Sequence, residues 1–223
     1  LKIVEPSFSL STPFNATLTR NDGVEMLRFI EKQGRISHAS EDRQTDDSWE
    51  RFIQAVVLQH GDWSICEHAT LTATLQVDRG VSHELVRHRL FSFTQSSTRF
   101  INYAKTLSDL EFIKPQDLPR PVEADWKESI KACETTYKLM IGWGAKPQQA
   151  RSILPNSFAT VIAVTGNLRN FRHLFLMRTS KETHPDFRAV TIPMLEKFKQ
   201  IIPLLYDDIE PNARQIENLR KAR

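Results

Sequence analysis

Cysteine is scarce in this chain. Cys66 and Cys133 are its only two, far apart and outside any CxxC or Cys/His ligand spacing, which argues against a disulfide framework and against a zinc site. Histidine does not fill the gap: His83 and His88 are five apart and do not stack on a helix face as i, i+4 ligands do. No apolar run approaches the roughly 20 residues that span a bilayer, and the opening LKIVEPSFSL lacks the apolar core of a signal peptide. The expectation is a soluble, cytoplasmic protein with no metal and no membrane partner. An excess of one charge is missing too. Thirty Lys+Arg against 27 Asp+Glu gives +3, too small a surplus to argue for wrapping nucleic acid. There is no internal repeat and no low-complexity segment. With 40% hydrophobic and 26% charged residues, the chain has enough apolar material for a core, and a single domain over residues 1–223 is expected.

The periodicities then assign elements. LKIV is extended, and residues 22–33 form a short helix capped by Asp22 and stopped at Gly34. In TDDSWERFIQAVVLQHG the apolar residues Trp49, Phe52, Ile53, Val56 and Val57, with His60, keep i, i+3, i+4 spacing; a helix burying one face is expected, ending at Gly61. ATLTATLQV alternates Leu71, Ala73, Leu75 and Val77 with Thr70, Thr72, Thr74 and Gln76, a strand with one wet face. Helical spacing returns from Val81 to Leu85. The segment 107–121 reads as a loop, and a long helix follows with Trp126, Ile130, Cys133, Tyr137 and Met140 on one stripe, closed by GWG. Pro147 opens a short helix that carries Arg151 and ends at Pro155. SFATVIAVTG is a second strand, NLRNFRHLFLMR starts a helix, and a last helix aligns Phe187, Val190, Met194, Phe198, Ile202 and Leu205, with a kink at Pro203. The tail from about 211 to 223 is charged and frayed. Helices alternating with a few strands make an α/β or α+β domain.

The chemistry concentrates in RHRLFSFTQSSTRF, residues 87–100. Arg87, His88 and Arg89 stand in succession, with Ser96, Ser97, Thr98 and Arg99 close behind. On a continuous helix, at about 100° per residue, Arg87 and Arg89 point about 200° apart, so to serve one ligand the helix must break near Arg89. The Ser/Thr-rich residues that follow favour that break. Arg87, Arg99, Arg151 and Arg178 each stand beside small polar or helix-terminal residues, which suits a phosphate: guanidinium supplies a planar fork of donors, and a hydroxyl or backbone N–H completes the oxygen shell. A run of charge on a solvated face is the plainer alternative.

Arg-His-Arg, seven residues, then Ser97 resembles the signature of the flavin-dependent thymidylate synthases, and the neighbours VSHELVRHR, SSTRF, SICEH, ARSILP and NLRNFRHLFLMR agree in the same order over roughly residues 20–205. The resemblance implies a small, mostly antiparallel sheet flanked by long helices. It implies reductive methylation of dUMP to dTMP, with 5,10-methylenetetrahydrofolate as carbon donor and FADH2, recharged by NADPH, as hydride donor. It further implies a homotetramer with shared active sites, small-molecule substrates and no nucleic-acid partner. Position by position, Glu84, Arg87, Gln95, Ser96, Ser97, Thr98, Arg99, Arg151 and Arg178 resemble the substrate-binding set. Among these, Arg178 is the residue that favours the N3-deprotonated uracil, as a cation beside the ring would. Ser64, Arg87, His88, Arg89, Gln95, Asn167, Arg169 and His173 resemble the flavin-binding set. Glu84 stands where many members have glutamine, Asp62 replaces a histidine, Phe100 replaces a tyrosine, and His184 follows Arg178 at a spacing two residues longer than usual.

Each residue also has a structural alternative. Asn167 can cap the helix it begins, Arg169 and His173 can be an exposed pair one turn apart, Ser64 can cap a turn, and Glu67 can pair with His68. Two other functions compete. A cysteine-dependent methyltransferase needs an activated thiolate, whereas Cys133 lies on an apolar stripe and Cys66 beside an acid. A non-catalytic nucleotide or RNA-binding module would stack bases on Phe91, Phe93 and Phe100.

Overall fold

The computed structural model describes residues 1–106 and 109–212; most of the charged tail expected at 211–223 lies outside the described residues. Within it are six strands and eight α-helices: β1 (Lys2–Val4), β2 (Ser7–Ser11), α1 (Arg20–Ile36), α2 (Ser48–Phe52), β3 (Thr70–Asp78), α3 (Arg79–Leu85), β4 (Ser92–Gln95), α4 (Tyr103–Thr106), β5 (Glu111–Ile113), α5 (Arg120–Gly142), α6 (Pro147–Ala150), β6 (Ala159–Asn167), α7 (Leu168–Arg178) and α8 (Pro185–Ile201). The main sheet has the order β2-β3-β6-β4, and β1 pairs with β5 in parallel. Arg79 N–H donates to Asn156 at one end of the β3/β6 pair and Leu168 N–H to Ala69 at the other, so these strands are antiparallel. The expected α+β arrangement, a small sheet with long helices, is what forms.

The chain divides into two compact units. The first takes in Leu1–Phe8, Thr74–Arg89 and Phe93–Ala163. Its core lies against α5, where Ile130 and Tyr137 pack with Tyr103, Leu110, Phe112, Ala150 and Phe158. Tyr103 and Phe112 both meet the Phe158 ring edge-on, at 4.9 and 5.7 Å. Fully burying such a side chain contributes about 1.5–3 kcal/mol. The stripe expected on α5 is therefore the core face, but it also buries Glu134, whose carboxylate accepts the Leu110 N–H at 2.9 Å and meets Lys138 at 2.8 Å. The loop expected at 107–121 contains β5, a three-residue strand too short to show a period.

The second unit takes in Ser9–Ala73, Leu90–Ser92 and the described chain from Val164 onward. Phe171, Phe175, Phe198 and Tyr206 stack edge-on or tilted at 4.9–6.4 Å, and the Tyr206 hydroxyl donates to the Leu168 carbonyl at 2.9 Å. Helix α1 approaches α8 so closely that a Cβ on Gly23 would stand 1.9 Å from the Ile201 carbonyl oxygen. Three expectations are corrected in this unit. The cap of α1 is Thr19, three residues earlier than expected; Asp22 is the other half of a capping box, accepting the Thr19 N–H at 2.7 Å. The helix expected over 48–60 is α-helical only to Phe52, and Ile53–Gln59 widens into a π-helix, with His60 N–H donating five residues back to Ala55 at 3.0 Å. Pro203 does not kink the last helix, because α8 has already ended at Ile201; the proline inside it is Pro193, which the periodicity passed over.

Candidate active site

In the first unit Asp78 caps α3 through the Val81 N–H at 2.9 Å. The helix ends at Leu85 in tightened turns, with Arg87 N–H donating to Glu84 and His88 N–H to Leu85. The break that the two arginines require is therefore built, one turn before Arg89. Arg87 and Arg89 are exposed and His88 half-buried, while Glu84 is half-buried on the last turn of α3. The chain then forms β4, a strand the sequence reading missed because it is four residues long with a polar majority.

After β4 the chain turns sharply. Ser97 Oγ accepts the Arg99 N–H at 3.2 Å, and the Ser97 carbonyl accepts from Phe100 and Ile101 at 3.3 and 3.0 Å. This turn leaves Arg99 exposed, with its guanidinium 5.1 Å from the centre of the Phe100 ring. Ser96 and Ser97 are half-buried and Thr98 is buried. Arg151, exposed on the 3-10 turn after α6, reaches Thr98 Oγ1 at 3.5 Å, so the structure brings together two residues expected in the substrate set that lie far apart in sequence. Among the described residues no carboxylate pairs with Arg87, Arg89, Arg99 or Arg151. Gln95 is half-buried, its amide nitrogen donating to Ser82 and Thr160. Neither hydroxyl residue was singled out from sequence; each is a small polar residue inside an apolar pattern.

The second unit holds the remaining positions. Asn167 caps α7, its Oδ1 accepting the Asn170 N–H at 2.8 Å, so the structural role weighed for it is present. Arg169 on the first turn of α7 bonds Glu67 Oε1 at 2.7 Å; it is this pair that forms, rather than Glu67 with His68. His173 is exposed one turn further along α7, and Arg178 at its C-terminal end lies 5.0 Å over the Phe187 ring. His184 caps α8, accepting the Asp186 N–H at 3.3 Å. Ser64 lies on the 3-10 turn Trp63–His68 and lines a cavity of about 790 Å³ with Arg35, His38, Arg43, His60 and Asp62. A larger cavity of about 1000 Å³, between Arg35, Arg51 and Leu204, includes none of the expected site residues.

Cys66 is fully buried, and burial pushes its thiol up to about 12, with Arg172 and Arg169 offsetting only part of that. A thiol held protonated is no nucleophile. Phe91 is buried against Phe171 at 5.0 Å, which leaves one fewer ring for base stacking. Among the described residues no three His, Cys, Asp or Glu side chains could hold a metal ion, and no helix is long and apolar enough to cross a membrane.

The family model for the thymidylate synthase complementing proteins matches residues 22–204. The chain belongs to this family. Its relatives include the flavin-dependent thymidylate synthase of Saccharolobus solfataricus, 34% identical over 206 residues, covering 89% of this chain and 76% of that one. That of Pyrococcus furiosus is 32% identical, covering 90% and 81%. Among solved structures, Thymidylate Synthase X from Helicobacter pylori, crystallised with FAD and dUMP, shares the fold at a TM-score of 0.70 and 17% identity, covering 91% of this chain and 99% of that one. The UMP/dUMP methylase PolB from Streptomyces cacaoi, bound with 5-Br dUMP, does so at 0.73 and 19%, covering 93% and 96%. The nucleotide-binding module without catalysis is not favoured.

Proposed function

We propose that this chain is an FAD-dependent thymidylate synthase, converting dUMP to dTMP with 5,10-methylenetetrahydrofolate as carbon donor and NADPH as reductant. The observation that carries the reading is the set Arg87, Arg89, Arg99 and Arg151: exposed, without carboxylate partners among the described residues, in a chain of this family. Arginines left without acids retain their full capacity for phosphate oxygens.

The donor set fits FAD, whose pyrophosphate needs cations and whose ring system needs amide and guanidinium donors. Arg87, His88 and Arg89 at the end of α3, Gln95, and Ser64, Asn167, Arg169 and His173 are the residues that would hold it. When bound, FAD supplies the hydride that reduces the transferred one-carbon group to a methyl. The nucleotide phosphate is assigned to Arg99, Arg151, Ser96, Ser97 and Thr98, with Arg87, Gln95 and Glu84 completing the substrate set. Arg178 is assigned to the uracil. Its guanidinium favours the ring with N3 deprotonated and raises the nucleophilicity of the carbon that takes the methylene group. Its stacking on Phe187 supports that placement by restricting the side chain. No protein nucleophile takes part, in keeping with the buried Cys66 thiol. The working form is a homotetramer in the cytoplasm, each site drawing on more than one subunit.

Titration of the purified chain with FAD tests this reading. A saturable change in flavin fluorescence, weakened in Arg89→Ala with folding intact, is expected. A protein that leaves the flavin signal unchanged contradicts it.

A further inference from the structure

Gln95 ends β4 immediately before the Ser96–Arg99 turn, and its amide is tied inward by two hydroxyls. Nε2 donates to Ser82 Oγ at 3.0 Å and to Thr160 Oγ1 at 3.1 Å. Both hydroxyl residues are inaccessible, at 0% and 3% exposure. A hydroxyl can accept or donate, so these contacts alone would permit either orientation of the amide. The Arg79 carbonyl decides between them. Ser82 Oγ donates its single hydrogen to that carbonyl at 2.9 Å, leaving only lone pairs for Gln95. With the Ser82–Arg79 bond in place, the atom of Gln95 that faces Ser82 is the donor nitrogen. With Ser82 and Thr160 each taking one amide hydrogen, both donors are used. The side-chain bonds of Gln95 among the described residues both run from Nε2, and the residue is half-buried rather than sealed. Gln95 is followed directly in the chain by Ser96, Ser97, Thr98 and Arg99, and Arg151 reaches Thr98 Oγ1 at 3.5 Å, a segment dominated by donors. An amide oxygen can only accept, unlike the guanidinium groups of this segment, which can only donate.

We infer that Ser82 and Thr160 are positioning residues: they hold the Gln95 amide so that Oε1 alone is presented, and the site thereby selects a nucleotide carrying a hydroxyl donor at that point. The inference rests on the proposed nucleotide-binding role of this segment. Neither residue touches the ligand; each acts through Gln95. A free amide could rotate to offer its NH2 to a carbonyl or phosphate ligand just as well. The relay from the Arg79 carbonyl through Ser82 removes that option, at the cost of burying two hydroxyls.

The test uses the FAD-loaded protein with dUMP. Thr160→Val keeps the shape and removes the hydroxyl, and should raise the Kd and KM for dUMP about 3- to 10-fold, the size of one net hydrogen bond, with kcat at saturation retained. Ser82→Ala should act in the same direction, and Thr160→Ser should restore wild-type affinity. In a Gln95→Leu background Thr160→Val should add nothing. Wild-type affinity in Thr160→Val, or an equal loss with and without Gln95, overturns the inference. If the wild-type protein binds no dUMP, the proposed function fails, and the amide itself is then read by nuclear magnetic resonance. Both Gln95 side-chain protons should exchange slowly with solvent and speed up in Thr160→Val; exchange as fast as in an exposed glutamine overturns the positioning role.

Discussion

Arg169 and Glu67 meet at 2.7 Å, joining the first turn of α7 to the 3-10 turn that carries Ser64, and each is about half exposed. A pair this wet contributes roughly 0–1 kcal/mol to folding, so its role in holding the fold is small. Glu67→Gln should leave the melting temperature nearly unchanged. Arg169→Ala should weaken FAD by about 1.5–3 kcal/mol, the worth of a charge-assisted hydrogen bond, measured by fluorescence titration. Equal effects of the two variants on stability and none on FAD would make the pair purely structural.

Ser97 stands among cations and accepts the Arg99 N–H. Activation as a nucleophile needs a base oriented by a third group, and arginine stays protonated. Ser97→Ala should weaken dUMP binding by about 1–2 kcal/mol while turnover survives at saturating substrate. A covalent adduct of the uracil ring with Ser97, lost together with all turnover in Ser97→Ala, would refute the direct transfer.

Burial raises the Cys66 thiol from its ordinary 9.0 to about 12. Because the folded state keeps the neutral form, this contribution to stability is fully present below pH 9 and is lost as pH rises through about 12. At pH 8 iodoacetamide should label half-buried Cys133 and leave Cys66 unmodified in the native protein. The double variant Cys66→Ala, Cys133→Ala should keep its turnover. Rapid native labelling of Cys66 with loss of turnover would restore the cysteine-dependent reading.

The parts of the fold legible in the sequence are those with enough residues to show a period. The alternation from Thr70 to Val77 gave β3, and the α5 stripe gave the core face around Ile130 and Tyr137. The strands β4 and β5, of four and three residues, have too few positions to alternate; their pairing comes from neighbours distant in sequence. Nothing local distinguishes the π-helix over Ile53–Gln59 from an α-helix, since its apolar positions also satisfy the 3.6-residue repeat. Glu134 was invisible because a carboxylate on a helix reads as solvated until its Leu110 and Lys138 partners are placed beside it. For the site, the helix break before Arg89 was legible from stereochemistry, and the Arg-His-Arg run from its resemblance. Ser82 and Thr160 were not, because their contribution lies in which way another side chain is turned.

Arg99 and Arg178 are assigned to one nucleotide, and a shared-site tetramer lets them come from different chains. Arg99→Ala and Arg178→Ala should each be inactive, and mixing them after subunit exchange should recover part of the activity. Sedimentation should give a species of about four chain masses. A fully active monomer would contradict the oligomeric assignment.

Methylation of dUMP with FAD as an obligatory cofactor is tested most directly by dTMP formation from dUMP, methylenetetrahydrofolate and NADPH by flavin-stripped protein, with FAD either restored or withheld. Product formed only when FAD is restored, and absent from Arg178→Ala, is the expected result. Equal dTMP with and without FAD, or none under either condition from a folded, FAD-binding protein, would contradict it.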